Sequence, residues 1–233
     1  MNTETLNERL FESLINGDRA AARSVVQQAE RSGLAPAEVV SEVFWPTYEQ
    51  IDRLFRHDQL TTLAHHMATR LLRVLVDQQA QKFTRSAPVG RTVFAFCGPT
   101  DADELGAQMA VDLLESRGYT VSFAGGGIAT DEILATVQEN KPDVLLMFAS
   151  SPSDLPAMRQ LIDTIREIGA CDGLQIVVGA GVFNRAEGLA EEIGADLWAS
   201  DPVDLVEEMA ANPTRRAPAN QRTVGKKRQL RAA

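Results

Sequence analysis

The spacing of hydrophobic residues changes once along the chain, near residue 90. Up to about residue 82, apolar side chains recur every three or four positions, which is the period of amphipathic helices. Beyond residue 90, short continuous apolar runs alternate with helical patterns. The change predicts a helical domain over residues 1–84, a linker over 85–90 and an α/β domain over 91–212, followed by a tail over 213–233.

Four amphipathic segments account for the helical domain. They are predicted at residues 3–15, 18–31, 36–56 and 61–82. Asp18 is a good helix cap, Pro36 suits a first helical turn, and Pro46 is an expected kink. Because the connections are short, the segments are expected to form an antiparallel four-helix bundle.

Five apolar runs in the second half suit buried parallel strands, and they lie at residues 91–97, 120–125, 143–150, 175–181 and 197–200. Helical patterns separate or follow them at residues 104–117, 130–140, 154–168, 185–193 and 202–211. This alternation predicts a doubly wound, five-stranded parallel sheet of the Rossmann-like or flavodoxin-like kind. Ligands of such sheets bind beyond the carboxyl ends of the strands. Four segments, called here the rim segments, are expected there: residues 97–106, 124–131, 149–155 and 179–184.

The net charge of −9 is unevenly distributed. The last 21 residues hold seven Lys and Arg and no acid, so the remainder has 16 basic against 32 acidic residues. An acidic body would repel nucleic acid, and only the basic tail could contact it; a disordered, solubilising terminus is the simpler interpretation.

Targeting and cysteine signals are absent from the sequence. There is no signal peptide and no apolar run long enough to span a membrane, so a cytoplasmic protein without membrane contact is expected. The two cysteines lack the close spacing of a disulfide framework or a zinc site.

Two rim segments resemble ion or nucleotide sites only superficially. The triplet Gly125-Gly126-Gly127 lacks the spacing of a phosphate-binding loop, and a tight turn explains it better. Asp101 and Asp103 could bind a hard cation, but no basic residue accompanies them, and metal-dependent catalysis is disfavoured.

Small residues at the third and fourth strand ends predict a slot in which a flat ligand lies close to the backbone. These residues are Ser150, Ser151, Gly179, Ala180 and Gly181. The sequence contains no nucleophile paired with a base, so the protein is not expected to be an enzyme.

The rim segments resemble those of the cobalamin-binding domain of methionine synthase, corrinoid methyl carriers and light-sensing cobalamin-dependent repressors. That family has D-x-H-x-x-G after its first strand, a serine loop after the third and a Gly-Gly loop after the fourth. Here the first motif corresponds to Asp101-Ala-Asp103-Glu-Leu-Gly106, followed by ESRGYTV. Ser150 or Ser151 corresponds to the serine, and residues 179–181 to the glycine pair.

The first half is similar to the helical cap that precedes this domain, so the resemblance covers roughly residues 10–210. In the repressors the cap carries a Trp and, ten residues later, a Glu-His pair. Phe55 falls on the Trp position and His65-His66 on the pair. The resemblance implies that Phe55 covers the upper face of a macrocycle and that His66 is a candidate axial ligand to the metal.

The most consequential departure is Asp103, which occupies the position of the family's lower axial histidine. A carboxylate is a poor ligand for cobalt in a corrin compared with imidazole. Three alternatives remain: cobalamin bound with its own base attached, a different tetrapyrrole such as haem or a bilin, or a slot that has lost its ligand.

All three histidines lie between residues 57 and 66, but helix geometry separates them. Adjacent helical residues diverge by about 100 degrees, so His65 and His66 cannot both bind one metal ion. The predicted core face of the last helix comprises Leu63, Met67, Leu71, Val74 and Leu75. The opposite flank, with Leu72 and Val76, is a candidate dimer contact.

The resemblance and the lack of catalytic or DNA-binding modules favour a regulatory sensor. In this hypothesis cobalamin or a related tetrapyrrole is clamped between cap and sheet, and its state is passed to a protein partner, as in photoreceptors that regulate transcription. Two alternatives remain open: a corrinoid carrier subunit of a methyltransferase system, and a ligand-free interaction scaffold.

Overall fold

A computed structural model describes residues 2–169, 171, 173–179 and 181–218. The chain divides into two compact units, Met1–Ser86 and Ala87–Ala233. The first is helical and the second holds a five-stranded parallel sheet with helices, so the predicted fold class is confirmed.

The helical unit contains α1 (Thr3–Ile15), α2 (Arg19–Arg31), α3 (Pro36–Glu38), a π-helix (Val39–Phe44), α4 (Trp45–Arg56) and α5 (Thr62–Ala80). Side-chain caps help to fix the starts of α2 and α5. Asp18 accepts hydrogen bonds from the N–H groups of Ala20 and Ala21, and Thr61 accepts one from Ala64. These bonds satisfy donors that the first helical turn leaves unpaired.

The predicted helix over residues 36–56 is not a single α-helix, because six residues of π-helix interrupt it. Pro46 has no N–H to donate to the carbonyl four residues earlier, that of Glu42. Asn7 of α1 supplies a donor instead, with its Nδ2 3.2 Å from the Glu42 oxygen. The irregular turn is thereby tied to the first helix of the unit.

The buried face of α5 differs from the predicted one. Leu63, expected in the core, is 70% exposed, whereas His65, Leu72 and Val76 are buried. The proposal of a dimer contact at Leu72 and Val76 is therefore wrong, because both side chains already lie in the core of the single chain. More than half of the residues of α5 are apolar, so their spacing is compatible with more than one buried face.

The second unit alternates strands with helices. The strands are β1 (Thr92–Cys97), β2 (Thr120–Gly126), β3 (Val144–Phe148), β4 (Gln175–Gly179) and β5 (Leu197–Ala199). The helices are α6 (Asp101–Ser116), α7 (Thr130–Asn140), α8 (Leu155–Ile168), α9 (Gly181–Asn184), α10 (Leu189–Ile193) and α11 (Pro202–Ala211), with a 3-10 turn at Pro152–Asp154. The predicted helix over 185–193 is therefore only partly correct, since within that range only Leu189–Ile193 is helical.

All strands are parallel, in the order β2-β1-β3-β4-β5. Every residue of β3 and β4 is buried, as expected for central strands covered on both faces. The strand order reverses between β1 and β3, and ligands of such sheets bind at the carboxyl side of that switch point. The topology therefore directs attention to the loops after β1, β3 and β4.

The opposite, amino-terminal edge of the sheet anchors the end of the described chain. Gln175 donates from Nε2 to the carbonyls of Asn212 and Arg215, at 2.9 and 3.1 Å. Asp196 accepts from the N–H groups of Ile176 and Ala217, at 2.7 and 2.6 Å. The start of the predicted tail, residues 213–218, therefore has fixed contacts, and residues 219–233 lie outside the described part of the chain.

Candidate functional site

The Asp-Ala-Asp stretch after β1 forms the first turn of α6 rather than a loop. Thr100 caps the helix: its Oγ1 accepts from the Asp103 N–H at 3.1 Å. Asp103 reciprocates, its Oδ2 accepting from Thr100 Oγ1 at 2.6 Å and from the Thr100 N–H at 3.2 Å. Asp103 is only 8% exposed, and Asp101 is exposed at the start of the helix. The carboxylate of Asp103 is thus engaged in a capping box.

A second carboxylate, which the sequence analysis missed, lies beside the first. Asp154 accepts from the Ser151 N–H at 3.3 Å. A Cβ placed on Gly98 would lie 2.7 Å from Asp103 Oδ2 and 3.4 Å from Asp154 Oδ2. Burial raises the pKa of Asp154, the Ser151 hydrogen bond opposes the rise, and the charge of Asp103 adds to it. The loops after β1 and β3 therefore bring two carboxylates together at the switch point.

Glycine at position 126 is explained by close backbone contact. A Cβ there would lie 2.1 Å from the Gly98 carbonyl oxygen, so no side chain fits. The Gly126 N–H donates to Glu104 Oε1 at 3.3 Å, which ties the end of β2 to α6. Gly106 is buried within α6. The packing of the α6 region against the end of β2 therefore requires a glycine at position 126.

Small residues follow β3 and β4, where the sequence predicts the slot. Ser151 caps the 3-10 turn, its Oγ accepting from the Ser153 N–H at 3.3 Å. The Gly179 carbonyl accepts from the N–H of Ala149 at 3.3 Å, which keeps the two strand ends adjacent. Ala180 lies outside the described residues.

Arg185, which the sequence analysis also missed, reaches back over these strand ends. Its Nη2 donates to the Ser150 carbonyl. Its Nη1 would lie 2.9 Å from a Cβ placed on Gly181. A signal was available in the sequence, since the rim segments hold no Lys or Arg and Arg185 follows the last of them directly.

The candidate residues of the helical unit form a stacked pair and an exposed neighbour. The rings of Phe55 and His65 lie 3.9 Å apart and nearly parallel, at 13°. His65 is 7% exposed and neither ring nitrogen has a hydrogen-bond partner. Burial lowers the pKa of His65, and the nearby His66 lowers it further. His66 itself is exposed.

Metal and membrane signals are absent from the described ranges. No group of three or more His, Cys, Asp or Glu side chains converges to hold a metal ion within residues 2–169, 171, 173–179 and 181–218. In the same part of the chain, no helix is long and apolar enough to cross a membrane.

Comparison with known proteins identifies both halves. Residues 91–207 match one B12 binding domain family, and residues 6–78 match a second family of the same description. The trimethylamine corrinoid protein of Methanosarcina barkeri is 22% identical over 90% of this chain and 97% of its own length. Dimethylamine corrinoid protein 1 of Methanosarcina acetivorans is 21% identical over 88% of this chain and 96% of its own.

A solved structure supports the fold. The monomethylamine corrinoid protein of Methanosarcina barkeri superposes with a TM-score of 0.74, covering 88% of this chain and 97% of its own, at 14% identity. At that identity the likeness concerns the fold alone.

These comparisons correct several expectations about function and partners. The relatives are corrinoid proteins, so the regulatory sensor, its regulatory partner and the nucleic-acid contact by the tail are wrong, and the carrier alternative is better supported. The assignments to photoreception and transcription regulation find no support either. The alternatives of haem or a bilin give way to cobalamin. The chain belongs to the B12 binding domain family, and its cofactor is cobalamin.

Proposed function

We propose that this protein is the corrinoid carrier subunit of a methyltransferase system. The observation that carries the proposal is the agreement of both halves, in order, with relatives named as corrinoid proteins of methylamines over about nine tenths of the chain. Cobalamin supplies a cobalt that accepts and releases a methyl group. A separate methyltransferase would perform the transfer, with methylamines as the class of methyl donor.

The proposed binding surface lies at the carboxyl ends of β1, β3 and β4. Gly181 there and Gly126 at the end of neighbouring β2 add no side chain, and Ser150 and Ser151 add only small ones. A flat macrocycle can approach such a surface closely. Asp101, Gly106, Gly179 and Ala180 complete the proposed set, by position in the family motifs.

Asp103 is not proposed as a ligand to cobalt. Its carboxylate already accepts two hydrogen bonds from Thr100, and carboxylate oxygen is a hard donor that suits cobalt in a corrin poorly. The residues present fit cobalamin that retains its own base as lower ligand. The role of Asp103 is to hold the start of α6 beside the ligand.

The helical unit is proposed to contribute His66, with its exposed imidazole, as the candidate axial ligand or contact. Phe55 is stacked on His65, so a contact between Phe55 and the ligand would involve this stacked pair of rings. The matched variants are His66→Ala and His57→Ala, since both histidines are exposed and lie in the same unit. Only the first should alter the absorption spectrum of the bound corrinoid.

Binding and ligation are tested with the purified full chain. Methylcobalamin or hydroxocobalamin is added, unbound corrinoid is removed by gel filtration, and the spectrum of the eluted complex is recorded. The proposal predicts co-elution with a base-on spectrum, and demethylation of the methylcobalamin complex when a partner methyltransferase and a methyl acceptor are added. Absence of co-elution would contradict cobalamin binding at this surface, and a base-off spectrum would contradict retention of the ligand's own base.

A further inference from the structure

Arg185 spans the ends of the two central strands. It lies in the segment after α9, and its guanidinium extends back to the Ser150 carbonyl that follows β3. The same group lies so close to Gly181 that a Cβ at that position would be only 2.9 Å from Nη1. The absence of a side chain at Gly181 therefore allows the guanidinium to lie directly on the backbone after β4. The result is a positive charge held across the mouth of the proposed corrinoid surface.

The surroundings of this charge are acidic. The rim segments contain five carboxylates and no Lys or Arg, and the carboxylates are those of Asp101, Asp103, Glu104, Asp131 and Asp154. Burial and the neighbouring Asp103 raise the pKa of Asp154, with the Ser151 hydrogen bond acting in the opposite direction. An anionic group entering this edge of the sheet would be repelled by every charged side chain of the rim segments. Arg185, which directly follows the last rim segment in the sequence, supplies a positive charge that can offset this repulsion.

Cobalamin carries such an anionic group, because a phosphodiester joins its corrin ring to its nucleotide base. We propose that Arg185 binds this phosphodiester and thereby selects complete corrinoids over those that lack the nucleotide loop. The inference rests on the proposed corrinoid surface at the rim. It assigns to the chain a specificity residue outside the three family motifs.

The contacts seen in the structure are consistent with an exchange of partners. A guanidinium pairs with phosphate through two parallel hydrogen bonds, and such charge-assisted bonds are stronger than one to a neutral carbonyl. The bond to Ser150 is therefore one that the phosphodiester can displace. Because the Arg185 side chain is exposed, it can reorient at little cost in packing. Ser150 and Gly181 hold the guanidinium near its proposed position before the ligand arrives.

The test compares two corrinoids and two variants of the full chain. Aquacobalamin has the phosphodiester, and diaquacobinamide has the same ring without the nucleotide loop. Arg185→Gln should weaken aquacobalamin binding by about tenfold or more, as expected for loss of a charge-assisted bond, and should leave cobinamide binding within about twofold. Arg185→Lys should recover part of the aquacobalamin affinity. Isothermal titration at two salt concentrations supplies the affinities, and the salt dependence of aquacobalamin binding should fall in Arg185→Gln.

Arg117→Gln is the matched control, because it removes the same charge from the exposed carboxyl end of α6, away from the rim. It should change neither affinity. An equal loss of affinity for both corrinoids in Arg185→Gln would assign Arg185 to the general shape of the surface, and tighter aquacobalamin binding would show that Arg185 obstructs the ligand; either result overturns the inference. If the unaltered chain binds neither aquacobalamin nor diaquacobinamide, the proposal of a corrinoid-binding surface at the rim is itself contradicted. Binding of both with no effect at Arg185 rejects the phosphodiester contact alone.

Discussion

Removing either member of the Thr100–Asp103 capping box should destabilise the start of α6, and removing both should cost less than the sum. Thr100→Ala deletes the acceptor for the Asp103 N–H and one donor to its carboxylate, for about 1 to 1.5 kcal/mol. Asp103→Ala deletes both bonds accepted by the carboxylate and an acidic group in the first turn, for about 2 kcal/mol. The shared bond is lost only once, so the double variant should lose about 2.5 kcal/mol, which leaves a coupling of about 0.5 to 1 kcal/mol.

Urea unfolding of the four proteins, followed by far-ultraviolet circular dichroism, measures the three differences in the free energy of unfolding. The slope with denaturant should be the same in all four, because the amount of surface exposed on unfolding is unchanged. Additive effects would show that the two side chains do not act as a capping box. An unaltered stability of Asp103→Ala would refute the structural role and reopen the possibility that this carboxylate serves the ligand.

Three further changes probe other parts of the structure. Gly126→Ala should destabilise the α/β unit by more than about 2 kcal/mol because its methyl group would meet backbone, whereas Gly173→Ala, with open space around it, should have little effect in the same urea titration. Leu72→Ala should cost about 2 to 5 kcal/mol and Leu63→Ala less than about 0.5 kcal/mol; equal costs would show that the assigned buried face of α5 is wrong. Because burial lowers the pKa of His65, the folded state favours its neutral ring, and stability is lost as the pH falls below the unfolded value of 6.5. The fall in melting temperature between about pH 8 and about pH 5.5 should therefore be smaller in His65→Leu, and an identical fall would contradict that assignment.

The sequence predicted the fold class because the hydrophobic period changes between the two units, and the two central strands of the second unit are buried on both faces. It failed on α5, where apolar residues on several sides make the period compatible with more than one buried stripe. Leu63 was assigned to the core for that reason, although it is the second residue of the helix and 70% exposed.

The site was predictable only in part. Family motifs led to the loops after β1, β3 and β4, and the pattern T-x-x-D at residues 100–103 carried a capping signal that the interpretation as a ligand loop obscured. Asp154 and Arg185 were missed because their contacts are tertiary, although the absence of other cations from the rim segments could have directed attention to Arg185. Neither the approach of Asp154 to Asp103 nor the reach of Arg185 to Ser150 follows from their spacing in the chain.

The anchoring of residues 212–217 by Gln175 and Asp196 has a practical consequence for experiments with this protein. Those contacts hold residues 212–217 at the amino-terminal edge of the sheet, on the far side from the rim segments. An affinity tag or surface-coupling handle added after residue 233 would therefore be joined to the α/β unit at the edge that does not face the proposed corrinoid surface. Immobilisation through the carboxyl terminus is the orientation in which titrations with corrinoids and with a methyltransferase should meet the least obstruction.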